Sequence, residues 1–318
     1  MFLESFSNTI LAVIQIILLA GVGYGLVKIN KLDGSGLTTL SRLVVEVTLP
    51  VLIFSQLIKD FSFSIYPNWW IFPLLSILIT AAGLAIGVLT GRGIKGEELK
   101  KQFLSLTAFQ NSGYLPLALV AALLPQDKAD TMFTYLFLFL LGFNLIIWSL
   151  GVHILSSRKE SKFELGSLFS PPVIATLFSL VLVFFGLSKA VPEFILKPLK
   201  MAGDCTVPLA MIIVGGNLAE IHLRQVNKRR ILLLLLSRMI VFPALGFWLI
   251  TLWKLPELIG LLIVMQLAVP PATSLSVIMR HYKKEDLLIS QGIFFGHMLS
   301  IITIPLFLSL YFAYFMVK

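Results

Sequence analysis

The chain has 318 residues, of which 58% are hydrophobic and 13% charged, and its mean hydropathy is +0.95. Soluble domains carry about 25% charged residues, so the composition excludes a soluble fold and implies a polytopic membrane protein. A net charge of +9 would suit nucleic acid or anionic lipid, and a single cysteine, Cys205, excludes an intramolecular disulfide framework.

Apolar runs of membrane length recur along the whole chain and predict ten helical spans. These are 9–28, 38–58, 70–91, 102–124, 131–155, 171–188, 203–222, 230–253, 257–280 and 287–315. No basic segment precedes the first run, and Lys28 and Lys31 follow it rather than a cleavage site. It reads as a retained span, not a signal peptide. The connections alternate in charge. One side holds Lys28, Lys31, Arg92, Lys95, Lys100, Lys101, Arg158, Lys159, Lys162, Arg224, Lys228, Arg229, Arg230, Arg280, Lys283 and Lys284. The other holds Lys59, Lys128, Lys189, Lys197, Lys200, Lys254 and Lys318. The richer side is expected in the cytoplasm, with both termini outside. The positive charge is thus a topology signal, and nucleic acid is dropped as a partner.

Two spans are interrupted by proline. Span four contains Gln110-Asn111-Ser112-Gly113-Tyr114-Leu115-Pro116, and span nine contains Gln266-Leu267-Ala268-Val269-Pro270-Pro271-Ala272-Thr273-Ser274. Proline removes a donor and clashes with the preceding turn, so each span is expected to break near mid-membrane. Spans two and seven carry a second matched pair, Glu46-Val47-Thr48-Leu49-Pro50 and Asp204-Cys205-Thr206-Val207-Pro208. Both pairs lie at nearly one offset. Five spans reverse the direction of the chain, so a duplicated half inserts upside down. The pattern predicts an all-α membrane protein of two inverted five-span repeats, residues 1–160 and 161–318, with broken helices at spans four and nine.

Broken helices present half-helix N-termini, whose free amides and partial positive charge suit an anion, typically a carboxylate. The candidate substrate residues are Asn111, Ser112, Gly113 and Pro116 in one half. In the other they are Gln266, Pro270, Pro271, Thr273 and Ser274. The blander reading is a pair of kinked, packed helices. Three charged residues fall within spans, where such groups are functional candidates by default. Glu46 suits reversible protonation, or an ion pair with Arg42 one turn earlier. Asp204 reads as an N-terminal cap of span seven or as a second acid. Arg238 is expected to snorkel to the inner interface, or to serve as a counter-ion. His297 reads as a packed helix-interior residue rather than a ligand. Gly91-Arg92-Gly93-Ile94-Lys95-Gly96 fits a dinucleotide-binding pattern by letter but follows a membrane span, so it reads as a turn. No Cys/His cluster, nucleotide motif or serine–histidine arrangement points to a metal, a cofactor or an enzyme.

The segments Asn111–Leu117, Ser170-Pro171-Pro172-Val173-Ile174-Ala175-Thr176, Val214-Gly215-Gly216-Asn217-Leu218-Ala219 and Ala268–Ser274 resemble the auxin efflux carrier (AEC) family. The likeness covers essentially the whole chain and is to the compact bacterial members, without the long cytoplasmic loop of plant PIN carriers. It implies a scaffold of spans one, two, six and seven and a transport domain of spans three to five and eight to ten. The fourth and ninth spans would cross at their prolines, with substrate beside the crossing and an elevator-type motion. The crossing asparagine would be Asn111 and the crossing prolines Pro116 and Pro271. Glu46 departs from the neutral residue expected at that place. A homodimer through the scaffold and a location in the bacterial inner membrane are also implied. The resulting expectation is a secondary transporter of a small organic anion, such as a malate- or malonate-type carboxylate, coupled to protons through Glu46 or uncoupled. The competitors are a sodium-coupled symporter of the bile-acid type and a membrane receptor or sensor.

Overall fold

The computed structural model describes residues 2–156, 168–221, 223, 225–253, 255–282 and 286–316, and among these it is helical with no strand. Lipid offers backbone groups no partners, so each apolar run closes its hydrogen bonds within a helix. Seven helices are long and apolar enough to cross a membrane. They are α1 (Phe2–Lys28), α2 (Gly34–Asp60), α3 (Ile71–Gly93), α6 (Gln126–Leu155), α8 (Glu193–Glu220), α9 (Lys228–Trp253) and α12 (Leu287–Phe315). Expected span four is divided into α4 (Glu97–Ala108) and α5 (Tyr114–Leu123). Expected span nine is divided into α10 (Glu257–Ala268) and α11 (Ser274–His281). Expected span six is the short α7 (Pro171–Phe184).

Local chemistry sets the helix starts. Asp33 accepts from the Gly36 amide at 2.8 Å and caps α2, which holds its carboxyl below the usual aspartate range. Pro171 opens α7 at a position where a missing N–H costs nothing. Wide π-turns sit just before two prolines, at Val44–Thr48 ahead of Pro50 and at Leu236–Val241 ahead of Pro243. A proline has no amide for the carbonyl four residues back, and a wider turn absorbs that defect. Glu46 lies in the first of these turns and Arg238 in the second.

Asp204 does not begin a span. The helix runs from Glu193 to Glu220 with a single non-helical turn residue, Cys205, so Asp204 ends one helical segment instead of capping the next. Its carboxylate is half exposed and accepts from Lys200, one turn earlier, at 3.0 Å. Glu46 and Arg42 are both exposed, and no ion pair joins them.

The packing follows small residues. A Cβ on Gly23 of α1 would strike the Ile212 carbonyl of α8, and one on Gly215 would strike the Ala20 carbonyl. These contacts lay α1 against the second part of α8 at backbone distance, as small-residue seams do in membranes. Similarly, α7 lies along the second part of α2, with Phe54 and Phe178 stacked at 5.9 Å. α3 packs on α6 through Phe72 and Tyr135, stacked at 4.2 Å. Large apolar side chains such as Leu18, Phe178 and Trp253 stay exposed, as lipid contact requires.

Charged residues gather at helix ends. Lys28 donates to the Ala219 carbonyl at 3.0 Å and Arg280 meets Glu220 at 3.6 Å, at one end of the bundle. Lys128 meets Glu257 at 3.7 Å, where α6 and α10 begin. Arg158, Lys159, Lys162, Arg224, Lys254, Lys283, Lys284 and Lys318, used in the charge count, lie outside the described residues.

Replacing Gly215 with valine should push α1 off α8. Overpacking of this kind costs about 1–3 kcal/mol, and a lowered unfolding temperature of the detergent-solubilised protein measures it.

Candidate functional site

The two breaks meet. After α4 the chain turns extended at Phe109, and after α10 it turns extended at Val269. The two extended pieces pair antiparallel as one isolated bridge between Gln110 and Pro271. The Asn111 amide donates to the Pro270 carbonyl at 2.8 Å, and the Ala272 amide donates to the Phe109 carbonyl at 2.9 Å. Each break thereby satisfies backbone groups that the other exposes. Unwound backbone survives at membrane depth only when buried against protein or beside water, and here Gln110, Asn111, Ser112, Pro270 and Pro271 are all buried.

Prolines explain the side chains around the crossing. Pro270 has no N–H for the carbonyl of Gln266, four residues earlier. Arg238 supplies the donor instead: its Nη2 donates to the Gln266 carbonyl at 3.1 Å and to the Val269 carbonyl at 3.0 Å. Pro116 likewise offers nothing to the Ser112 carbonyl, and the Gln266 Nε2 donates to that oxygen at 3.2 Å. Arg238 thus reaches from α9 to the end of α10, and Gln266 reaches on to the start of α5.

Arg238 is fully buried and its guanidinium stands 4.9 Å from the Phe242 ring centre. It neither snorkels nor pairs with Glu46 or Asp204. The hydrogen bonds to two carbonyls of a helix end hold it inside, where the partial negative charge of that end favours a cation. Its Nε and Nη1 have no partner among the described residues, and neither do Gln110 Oε1, Gln110 Nε2, Ser112 Oγ and Gln266 Oε1.

Two half-helices start at the crossing. Gly113 precedes α5 and Thr273 precedes α11, and neither end is capped by a side chain. Gly113, Thr273 and Ser274 are partly accessible. Pro116 is buried one turn into α5. The expected substrate residues are therefore brought together, whereas Glu46 and Asp204 are exposed and lie on α2 and α8.

His297 sits at the crossing rather than in ordinary helix packing. It is buried on α12, its Nδ1 lies 2.8 Å from the Ile293 carbonyl, and its Nε2 lies 3.4 Å from Asn111 Nδ2. Gly296 beside it brings α12 close to the prolines, since a Cβ there would lie 2.7 Å from Pro271 Cδ. A lone histidine in an apolar run gave no sequence signal of this.

A cavity of about 180 Å³ opens beside the crossing, between α1 and α8 on one side and α5 and α12 on the other. Its lining is mainly apolar, with Ile16, Leu115 and Met211, and its polar edge includes His297, Ser300 and Tyr24. Among the described residues no cluster of three or more His, Cys, Asp or Glu side chains is placed to hold a metal ion.

A family model described as "Membrane transport protein" matches residues 9–308. The chain belongs to the auxin efflux carrier family of membrane transport proteins. Among similar AEC proteins is an uncharacterized transporter of Methanocaldococcus jannaschii, 27% identical over 307 residues, covering 92% of this chain and 96% of that one. An uncharacterized transporter of Methanothermobacter thermautotrophicus is 25% identical over 303 residues, covering 94% and 96%. Protein PIN-LIKES 1 of Arabidopsis thaliana is 21% identical over 372 residues, covering 95% of this chain and 78% of that one. The AEC assignment makes this a multi-pass membrane transporter and gives the crossed breaks a transport context.

The crossing makes a stability prediction. Replacing Gln266 with leucine leaves the Ser112 carbonyl buried without a donor, at a cost of roughly 1–3 kcal/mol. Thermal unfolding in detergent should show the loss.

Proposed function

We propose that this AEC protein is a secondary transporter of a small organic anion, a mono- or dicarboxylate, bound beside the crossed breaks. The observation that carries this reading is Arg238. It is fully buried at the crossing, has two unused donor atoms, and has no carboxylate partner among the described residues. Its charge is met by carbonyls and the dipole of the α10 end rather than by a carboxylate, and the two uncapped half-helix starts add free amide donors. An arriving carboxylate would accept from these unused donors. The same argument disfavours a sodium site there, although amide and hydroxyl oxygens are available. A facilitator with no coupling and a receptor or sensor are the remaining alternatives, and AEC membership weighs against the last.

Two inverted repeats, residues 1–160 and 161–318, are part of this reading. The packing supports them: α1 lies along the second part of α8 just as α7 lies along the second part of α2. Under a repeat these pairs correspond. The cavity lies between α1 and α8, of the proposed scaffold, and α5 and α12, of the proposed transport domain. Sliding of one domain on the other, in elevator fashion, would carry the crossing across the membrane. Two scaffolds forming a homodimer, an inner-membrane location and outward termini belong to the same proposal.

Uptake of radiolabelled acetate, lactate, malonate and malate into proteoliposomes, with imposed proton or sodium gradients, tests the function. At least one carboxylate should accumulate, and movement of none under any gradient would refute the reading. Asn111→Ala should raise the KM of the transported acid several-fold. An unchanged KM would remove the crossing as the binding place.

A further inference from the structure

The structure assigns proton coupling to His297, acting through Asn111, in place of an acid in α2; this rests on the carboxylate reading above. The hydrogen bonds fix the starting state. The Ile293 carbonyl only accepts, so Nδ1 of His297 carries the proton and donates across 2.8 Å. The Nε2 then has a lone pair and accepts from the Asn111 amide nitrogen at 3.4 Å. The ring is neutral in this arrangement, and its tautomer is set by the α12 backbone.

A second proton on Nε2 reverses that contact. Two donors then face each other, and Asn111 must turn its amide to offer oxygen or release the ring. The reporter of the histidine's charge is therefore the side chain whose own backbone amide bonds the Pro270 carbonyl at the crossing. An imidazolium in this place adds a third positive element beside the half-helix starts and Arg238. Alone it is unfavourable. With a carboxylate in the adjoining cavity it becomes the counter-charge, since His297 lines that cavity. Anion and proton therefore favour each other's binding, and the linkage is reciprocal. The balance is one proton taken from water onto Nε2 per anion bound on one side, and one proton released per anion on the other.

Other ionisable groups do not compete for this role. Tyr24 of α1 lines the same cavity, but its ring faces the Lys28 ammonium, 5.4 Å from the ring centre. Arg238 on α9 is committed to two carbonyls. The remaining charged groups on the helices packed against α12 sit near helix ends. Examples are Lys28 on α1, Glu257 on α10 and Arg280 on α11. Glu46 is exposed on α2, and no residue of the π-turn that carries it lines the cavity.

The test has two arms. The first is proteoliposome uptake of malate, malonate, lactate and acetate by wild type, H297Q and E46Q, with and without an acid-outside gradient. Glutamine keeps an oxygen acceptor for Asn111 and cannot take the proton. Wild-type uptake should be stimulated by the gradient, H297Q should bind the acid more weakly and show the same residual uptake with and without the gradient, and E46Q should keep the stimulation. Stimulation surviving in H297Q, or lost only in E46Q, overturns the assignment. So does wild-type uptake that ignores the gradient, which leaves the carboxylate reading standing. No carboxylate movement by wild type refutes that reading and this inference with it. The second arm needs no variant to fold. The chain has four histidines, and ¹⁵N-histidine spectra of the wild type at pH 7 should show one ring as the Nδ1–H tautomer that gains a proton on addition of malate or whichever of the four acids is transported. A ring that stays neutral under saturating transported acid overturns the proposal.

Discussion

Everything at the centre of this protein depends on carbonyls that the two helix breaks leave without donors. An interrupted helix in lipid must find replacement partners for its broken ladder, because water is absent. Here three of the replacements come from the other half of the chain, and the fourth, Arg238, from the neighbouring helix α9. The Phe109 and Pro270 carbonyls are satisfied by the opposite break. The Ser112 and Gln266 carbonyls are satisfied by Gln266 and Arg238 side chains. The same bonds that make the breaks tolerable also fix their separation and hold the two half-helix starts near one another.

That constraint explains why charge sits where it does. Arg238 would be intolerable inside an apolar bundle, yet the end of α10 offers it carbonyl oxygens and a favourable dipole. Glu46 and Asp204, by contrast, find no such setting. They lie exposed, one in a π-turn and one paired with Lys200. A buried arginine thus stands at the crossing, while the two acids are peripheral.

Much of this was legible in the sequence. Proline positions located both breaks to within a few residues, and α12 runs over the residues that hydropathy marked, 287–315. Asn111, Gln266 and the prolines, grouped by the two interrupted runs, meet at the crossing. Thr-Val-Pro does open a helical segment, but Cys205 rather than Asp204 stands before it, and Asp204 ends the segment ahead. Arg238 stays inside because its partners, the Gln266 and Val269 carbonyls, sit on another helix that its own sequence does not reveal. An isolated histidine such as His297 shows nothing in the sequence of the residue opposite it. Patterns along the chain reveal periodicity and punctuation; pairing across 186 residues, as between Asn111 and His297, is visible only once the halves are docked.

The mutual satisfaction of the breaks also has a consequence for biogenesis. During synthesis α4 and α5 enter the membrane long before α10 and α11 exist. Until then Phe109, Asn111 and Ser112 lack the partners that the finished protein gives them. The first half must either wait in a wetter setting or be shielded by the insertion machinery. The break between α4 and α5 therefore settles late, when α10 and α11 arrive. Assembly of the centre is tied to completion of the chain, and a product truncated after α6 would expose an unfinished break to quality control.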